Sequence, residues 1–213
     1  MTQTARGRGR PQTNEIDAAK AIMTSAVAIF ADKGFDAANL REIAEAAGVN
    51  MALVSYNFGS KLGLWKRIIE AVGHRIEERQ ASLAQATGFG DSGAALRASM
   101  SAFIGFMDAR PEVARFMMRD MDHDPERAQW LYQNVTRRLL DHFLPLIERA
   151  RTDGYTHVPH PELALLQFAF GTAVGILRRD RLAQGSPEFL DDDSFRAALQ
   201  ERSEERRVGK ECR

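Results

Sequence analysis

Cysteine is almost missing from this 213-residue chain: a single one, Cys212, stands next to the end. No cysteine array is therefore available to hold a metal. Long apolar runs are missing too. No stretch approaches the roughly 20 residues that a membrane span needs, and the opening MTQTARGRGRPQTNE lacks the apolar core of a signal peptide. A cytoplasmic protein with no membrane partner is expected. Neither sign of charge is in excess, since 29 Lys and Arg balance 29 Asp and Glu, so any basic character has to be local. Alternating β-branched runs between turns are absent, and nothing reads as a strand. No glycine-rich phosphate loop, nucleophile elbow or HExxH appears, so neither an enzyme nor a cofactor is expected.

What is present is helical periodicity almost throughout, in a chain with 44% hydrophobic and 27% charged residues, which is ordinary for a globular protein. The charges separate mildly: Met1 to Arg67 holds nine Lys and Arg against six Asp and Glu. A first helix is expected over 14–33, with Ala19, Ile22, Met23, Ala26 and Phe30 on one face. Gly34 should end it in a left-handed conformation, with Phe35 folding back onto Phe30. Asn39 starts a second helix, with Glu42 in a capping-box position and Leu40, Ile43, Ala44 and Ala47 as its buried stripe. Gly48 ends it, Asn50 caps a short third helix, and Ser60 caps a fourth that runs to about 86. Further helices are expected over 94–109, from Pro111, over 124–154, over 161–183, and from Asp193. Pro145 should bend or divide the helix that contains it.

Two short helices joined at Gly48 have the form of a helix-turn-helix, whose second helix enters the major groove. Val49, Val54 and Phe58 would face inward, leaving Met51, Ala52, Ser55 and Tyr56 outward. These short, weakly hydrated side chains allow close approach to DNA. The stretch AIFADKGFDAANLREIAEAAGVNMALVSYNFGSKLGLW joins an aromatic before a KGF, an IAxxAGV block and a YxFxSKxxL finish. Over roughly residues 18–65 it resembles the tetracycline-repressor (TetR) family of bacterial transcription regulators.

That resemblance implies an all-α chain: a three-helix helix-turn-helix DNA-binding domain over 14–66, followed by a larger helical ligand-binding and dimerisation domain over 67–201. It implies that Tyr56, Asn57 and Lys61 hold phosphates, Lys61 from the positive end of the fourth helix. Met51, Ala52 and Ser55 would meet bases, Asn50 is counted with them among the DNA-binding residues, and Arg41 would touch backbone or bases from the second helix. Two residues depart from the family pattern. Asn57 replaces an aromatic or His, weakening one phosphate contact, and Gly63 replaces Glu or Ala, leaving Ser60 without a capping-box partner and the helix start softer.

Ahead of this domain, residues 1–13 are expected to form a flexible basic arm. In RGRGRP, Arg6, Arg8 and Arg10 alternate with glycine as in the core of an AT-hook and suit a narrow A·T-rich minor groove. Beyond residue 93, soft Met and aromatic side chains adapt to apolar ligands. Phe103, Phe106, Met107, Met117, Met118, Trp130, Asn134 and Phe168 are the candidate pocket, set against their reading as core. His123, His157 and His160 lack companions at ligand spacing, and no metal is expected. The apolar helix LALLQFAFGTAVGIL carries Gly171 and Gly175 four residues apart. By resemblance it is the dimerisation helix, with Phe168, Gly171, Thr172, Gly175 and Ile176 at the interface. RSEERRVGKECR, Arg202 to Arg213, resembles a translated sequencing-library adapter. Cys212 then carries no redox argument, and the native C-terminus is expected to be missing.

The combined expectation is a homodimeric regulator that binds a palindromic DNA operator, represses, and is released by a small-molecule effector. An architectural protein of A·T-rich DNA and a helical-bundle enzyme are the alternatives.

Overall fold

A computed structural model describes residues 12–87, 91–119 and 124–204. Arg6, Arg8, Arg10, His123 and Cys212 lie outside the described residues. Among those described, every regular element is helical, and no helix is long and apolar enough to cross a membrane. The chain divides into two compact units, 1–68 and 69–213.

In the first unit α1 (Gln12–Ala37), α2 (Leu40–Ala46) and α3 (Met51–Phe58) pack on one another, and α4 (Lys61–Thr87) contributes its opening turns. Ile22, Ala26 and Phe30 of α1 are buried, as are Ile43 and Ala44 of α2 and Val54 of α3. Leu64, Trp65 and Ile68 of α4 are buried as well. Each boundary has a local cause. Gly34 breaks the regular course of α1 with φ 82° and ψ 168°, an extended positive-φ conformation that side chains avoid. It differs in ψ from the left-handed helical turn expected. Phe35 still folds back and stacks on Phe30, with ring centroids 5.8 Å apart.

The second unit packs α5 (Ser92–Asp108), α8 (Arg137–Thr152), α9 (Pro161–Leu177) and α11 (Asp192–Glu204) together, with α6 (Pro111–Arg119) against α5 and α9. Phe103 of α5 ties the group, meeting Phe143 of α8 edge-on at 6.5 Å and Phe168 of α9 at 5.6 Å. Two expectations need correction. Pro145 does not divide its helix: α8 runs unbroken across it. Pro145 and Asp141 are both exposed, so the Asp141 carbonyl, which the missing proline N–H leaves without a helical partner, lies on the solvent side. The interruption comes earlier. After α7 (Pro125–Leu131), residues Tyr132–Thr136 form a π-helical turn, and the N–H of Arg137 reaches the carbonyl of Tyr132. The Asn134 side-chain amide donates to the Trp130 carbonyl at 2.9 Å.

The second correction concerns the helix expected to reach residue 183. It ends at Leu177, and the four-residue α10 (Arg179–Leu182) follows. Arg179 accounts for the break. Its guanidinium donates to the Phe189 carbonyl at 2.7 Å and the Leu190 carbonyl at 3.0 Å, pairs with Asp192 at 2.6 Å, and lies over the Phe195 ring. Four partners on the turn Pro187–Leu190 and on α11 outweigh continuation of one helix.

α4 carries Gly73 where it meets the π turn. A Cβ there would stand 2.1 Å from the Asn134 carbonyl oxygen, a backbone atom that cannot swing aside. Gly73→Ala gains about 1 kcal/mol of helix propensity but overpacks this contact, which costs roughly 1–3 kcal/mol. A net loss of stability is expected in urea unfolding; a stabilised variant would contradict the close approach.

Candidate nucleic-acid interface

The segment from Asn39 to Gly63 is built by short-range bonds. The Asn39 side chain accepts from the Arg41 N–H at 2.9 Å and starts α2. Glu42, at the position a capping box would use, pairs instead with Lys33 and ties α1 to α2; this hydrogen bond holds the Lys33 pKa above its ordinary value. α2 closes in a Schellman arrangement. The Val49 N–H donates to the Ala44 carbonyl and the Gly48 N–H to the Glu45 carbonyl, each at 3.0 Å, with Gly48 at φ 66°. Asn50 then caps α3, accepting from the Leu53 N–H at 2.8 Å.

The corner after α3 is tighter. Gly59, at φ 71° and ψ −58°, forms a γ-turn in which the Ser60 N–H donates to the Phe58 carbonyl at 2.8 Å, a conformation strained for other residues. The same carbonyl oxygen would lie 2.1 Å from a Cβ on Gly63. Gly63 is therefore required by packing. The Ser60 hydroxyl accepts from the Gly63 N–H at 3.0 Å, so α4 is capped without a carboxylate partner.

Residues assigned from sequence fall into two groups. Arg41, Asn50, Met51, Ala52, Ser55 and Tyr56 are exposed, and Tyr56 is 80% accessible. The other face of α3 is closed: Val54 has no accessible surface, and Val49 and Phe58 are half-buried. Met51, Ala52, Ser55 and Tyr56 thus form one outward patch at helical spacing. Asn57 and Lys61 are engaged inside the unit. The Asn57 amide donates to the Leu53 carbonyl at 2.8 Å. The Lys61 ammonium donates to the carbonyls of Asp36 at 3.1 Å and Ala38 at 3.0 Å, and lies 4.7 Å from the centre of the Phe35 ring. It joins the start of α4 to the end of α1 and the residue after it.

The electrostatics of this face are one-sided. No Asp or Glu occurs between Glu45 and Glu70, whereas Lys61, Lys66 and Arg67 do. The first turns of α3 and α4 carry no acidic residue, and neither do those of α5 and α8, while those of α2, α6, α7, α9, α10 and α11 do. Two helix N-termini are left with positive dipole ends that no carboxylate of their own first turn offsets, which suits anions.

An exposed second helix, a closed inner face and an acid-free approach define a helix-turn-helix DNA-binding protein. Comparison with known proteins agrees. Residues 22–68 match the family described as bacterial regulatory proteins, tetR family. Over 48 residues the chain is 46% identical to the Bacillus subtilis (strain 168) protein named "Probable HTH-type transcriptional regulator YttP"; the aligned segment spans 22% of this chain and 23% of that one. Two solved structures have the same fold over nearly their full lengths. The fatty acid degradation regulator FadR from Bacillus halodurans has 16% identity and a TM-score of 0.73, covering 99% of this chain and 100% of that one. A TetR-like transcriptional regulator from Rhodococcus sp. RHA1 has 20% identity and a TM-score of 0.64, covering 91% and 96%. The family match is confined to the N-terminal domain, and the chain spans about a quarter of the length of the curated relative it matches.

The second unit holds a cavity of about 610 Å³ between α5, α8, α9 and α11. Of the eight pocket residues expected from sequence, Phe168 lines it. Phe103, Phe106 and Met107 are buried in α5, and Met117, Met118, Trp130 and Asn134 are half-buried on α6, α7 and the π turn. The cavity instead uses Leu96 and Met100 of α5, Phe195 and Leu199 of α11, and Arg178. Of the residues expected at a dimer interface, Thr172 and Ile176 are buried within the chain, Phe168 and Gly175 are half-buried, and Gly171 is exposed.

The Lys61 contacts predict a structural effect. Lys61→Met keeps the stem but loses two hydrogen bonds from a charged donor, and should cost roughly 1–3 kcal/mol. Urea unfolding followed by Trp65 fluorescence in a Trp130→Phe background measures it. An unchanged midpoint would show that the ammonium is not held.

Proposed function

We propose that the chain is a DNA-binding repressor that grips a two-fold symmetric operator as a homodimer and is released by a small molecule. The observation that carries this reading is the outward patch of α3, uncharged and closely approachable, flanked by two helix N-termini free of acid. α3 enters the major groove. Ser55, Met51 and Ala52 meet base edges, while Tyr56, Arg41 and the N-terminal amides of α3 and α4 meet phosphates. Lys61 braces the corner that presents α3, and the capping Asn50 fixes where the helix begins.

Self-association is assigned to α9. Its exposed residues Leu163, Gln167, Gly171, Val174 and Arg178 recur at helical spacing, and Leu163 and Val174 are 54% and 46% accessible. A stripe of this kind, with a glycine at its centre, suits close approach of the same helix from a second copy. Ligand binding in the second unit then weakens DNA binding to the extent that the ligand prefers a dimer whose heads no longer match the operator.

A footprint over the DNA flanking the gene tests the reading. A compact, two-fold symmetric protected site is expected, with half-site centres about one helical turn (~35 Å) apart or a multiple of it; diffuse protection or none would refute it. Arg41→Gln should flatten the salt dependence of binding by about one unit of log–log slope for all sequences. Ser55→Ala should alter the selected consensus with little change in non-specific affinity. The same consensus after Ser55→Ala would remove that residue from base contact.

A further inference from the structure

The exposed side chains of α3 restrict which base edges they can read. In the major groove guanine is read chiefly by Arg or Lys, adenine by Asn or Gln, and cytosine by Asp or Glu. α3 offers none of these as a free reader. It contains no Arg, Lys, Gln, Asp or Glu. Its one amide, Asn57, is half-buried and donates to the Leu53 carbonyl. The preceding Asn50 is held to the helix end by the Leu53 N–H, which its side-chain oxygen accepts, so it is not free to turn both oxygen and nitrogen to an adenine. Lys61, just beyond, is held by two carbonyls. What remains at the N-terminal end of α3 is the Met51 thioether, 39% accessible, the Ala52 methyl and, one turn on, the Ser55 hydroxyl.

Thymine is the base that presents an apolar group in the major groove, its C5-methyl. Met51 and Ala52 have no side-chain donor, so packing them on a polar base edge would leave that edge unpaired, whereas packing them on a methyl removes apolar surface from water on both sides. We propose that this helix selects its site through thymine C5-methyl groups packed against Met51 and Ala52, with Ser55 supplying the accompanying hydrogen bond. This rests on the reading of α3 as the base-reading helix, and it names the class of base that each half-site carries. Arg41 and Tyr56 serve phosphates, which hold no sequence information. The methyl projects into the major groove, so removing it leaves the minor-groove edge of the pair unaltered.

The test uses the full chain and random-sequence duplexes. Repeated selection of bound DNA should return a consensus, and the winning duplex is then made with deoxyuridine for thymine, which keeps the base pair and lacks only the methyl. Fluorescence anisotropy should show about fourfold weaker binding per contacted methyl, and roughly tenfold or more for the fully substituted duplex. Single replacements should confine the loss to one or two thymines in each half-site. Met51→Ala, an exposed change to a better helix former, should bring the thymine-to-uracil affinity ratio at one of these positions close to unity. Arg41→Gln should weaken both duplexes equally and leave the ratio as it was. The proposal is overturned if the uracil duplex binds as tightly as the thymine duplex, or if neither Met51→Ala nor Ala52→Gly narrows the ratio. A uracil-sensitive site without two-fold symmetry would leave the thymine contact standing and refute the symmetric operator; a symmetric site indifferent to uracil would do the reverse. No enrichment of any sequence would refute both.

Discussion

One carbonyl oxygen governs how this protein presents its recognition helix. Phe58 O accepts the Ser60 N–H across a γ-turn and lies against the α-carbon of Gly63. Both glycines are set by that atom, Gly59 by its positive φ and Gly63 by the missing side chain. The corner they form is short and stiff, so α3 leaves the core at a defined angle. Lys61 adds a second constraint at the same place by fastening α4 to carbonyls at the C-terminal end of α1 and just after it. A helix of only eight residues gains little stability from its own hydrogen bonds. Its rigidity comes from Val54 beneath it and from this corner behind it.

Much of the first unit was legible because its determinants are local. Asn39, Asn50 and Ser60 cap the helices that the sequence assigns to them, and Gly34, Gly48 and the Phe30–Phe35 stack stand where a few residues of context place them. The outward set Met51, Ala52, Ser55 and Tyr56 follows from period and from Val54 being apolar. Lys61 was harder. Its position at a helix start suggests an anion, and only the fold reveals that two carbonyls some 23 and 25 residues away in sequence reach it first.

In the second unit the readable signals were misleading in specific ways. Pro145 is a strong local breaker, yet the interruption falls at Tyr132–Thr136, where the close approach of Gly73 is the tertiary feature that stands out. The helix after Pro161 has no internal stop signal before Ala183, yet Arg179 turns aside because its partners lie ten or more residues ahead. Of the residues expected around a ligand, Phe103, Phe106 and Met107 are buried, Met117, Met118, Trp130 and Asn134 are half-buried, and Phe168 lines the cavity. The cavity draws on residues whose types look no different from packing, and Arg178, the one with distinctive chemistry, sits in an Arg-Arg pair that reads as a helix end.

The π turn has a further effect on the same cavity. One extra residue per turn shifts the angular phase of everything after it by about 100°, so the face of α8 that carries Leu139, Phe143 and Ile147 points inward only because the chain was overcounted upstream. Winding the same residues as a regular α-helix would turn that face toward water, whereas deleting one residue between 132 and 136 would remove the π turn and leave the face in place. An irregularity that looks like a local defect therefore acts as the index mark from which one wall of the chamber is measured.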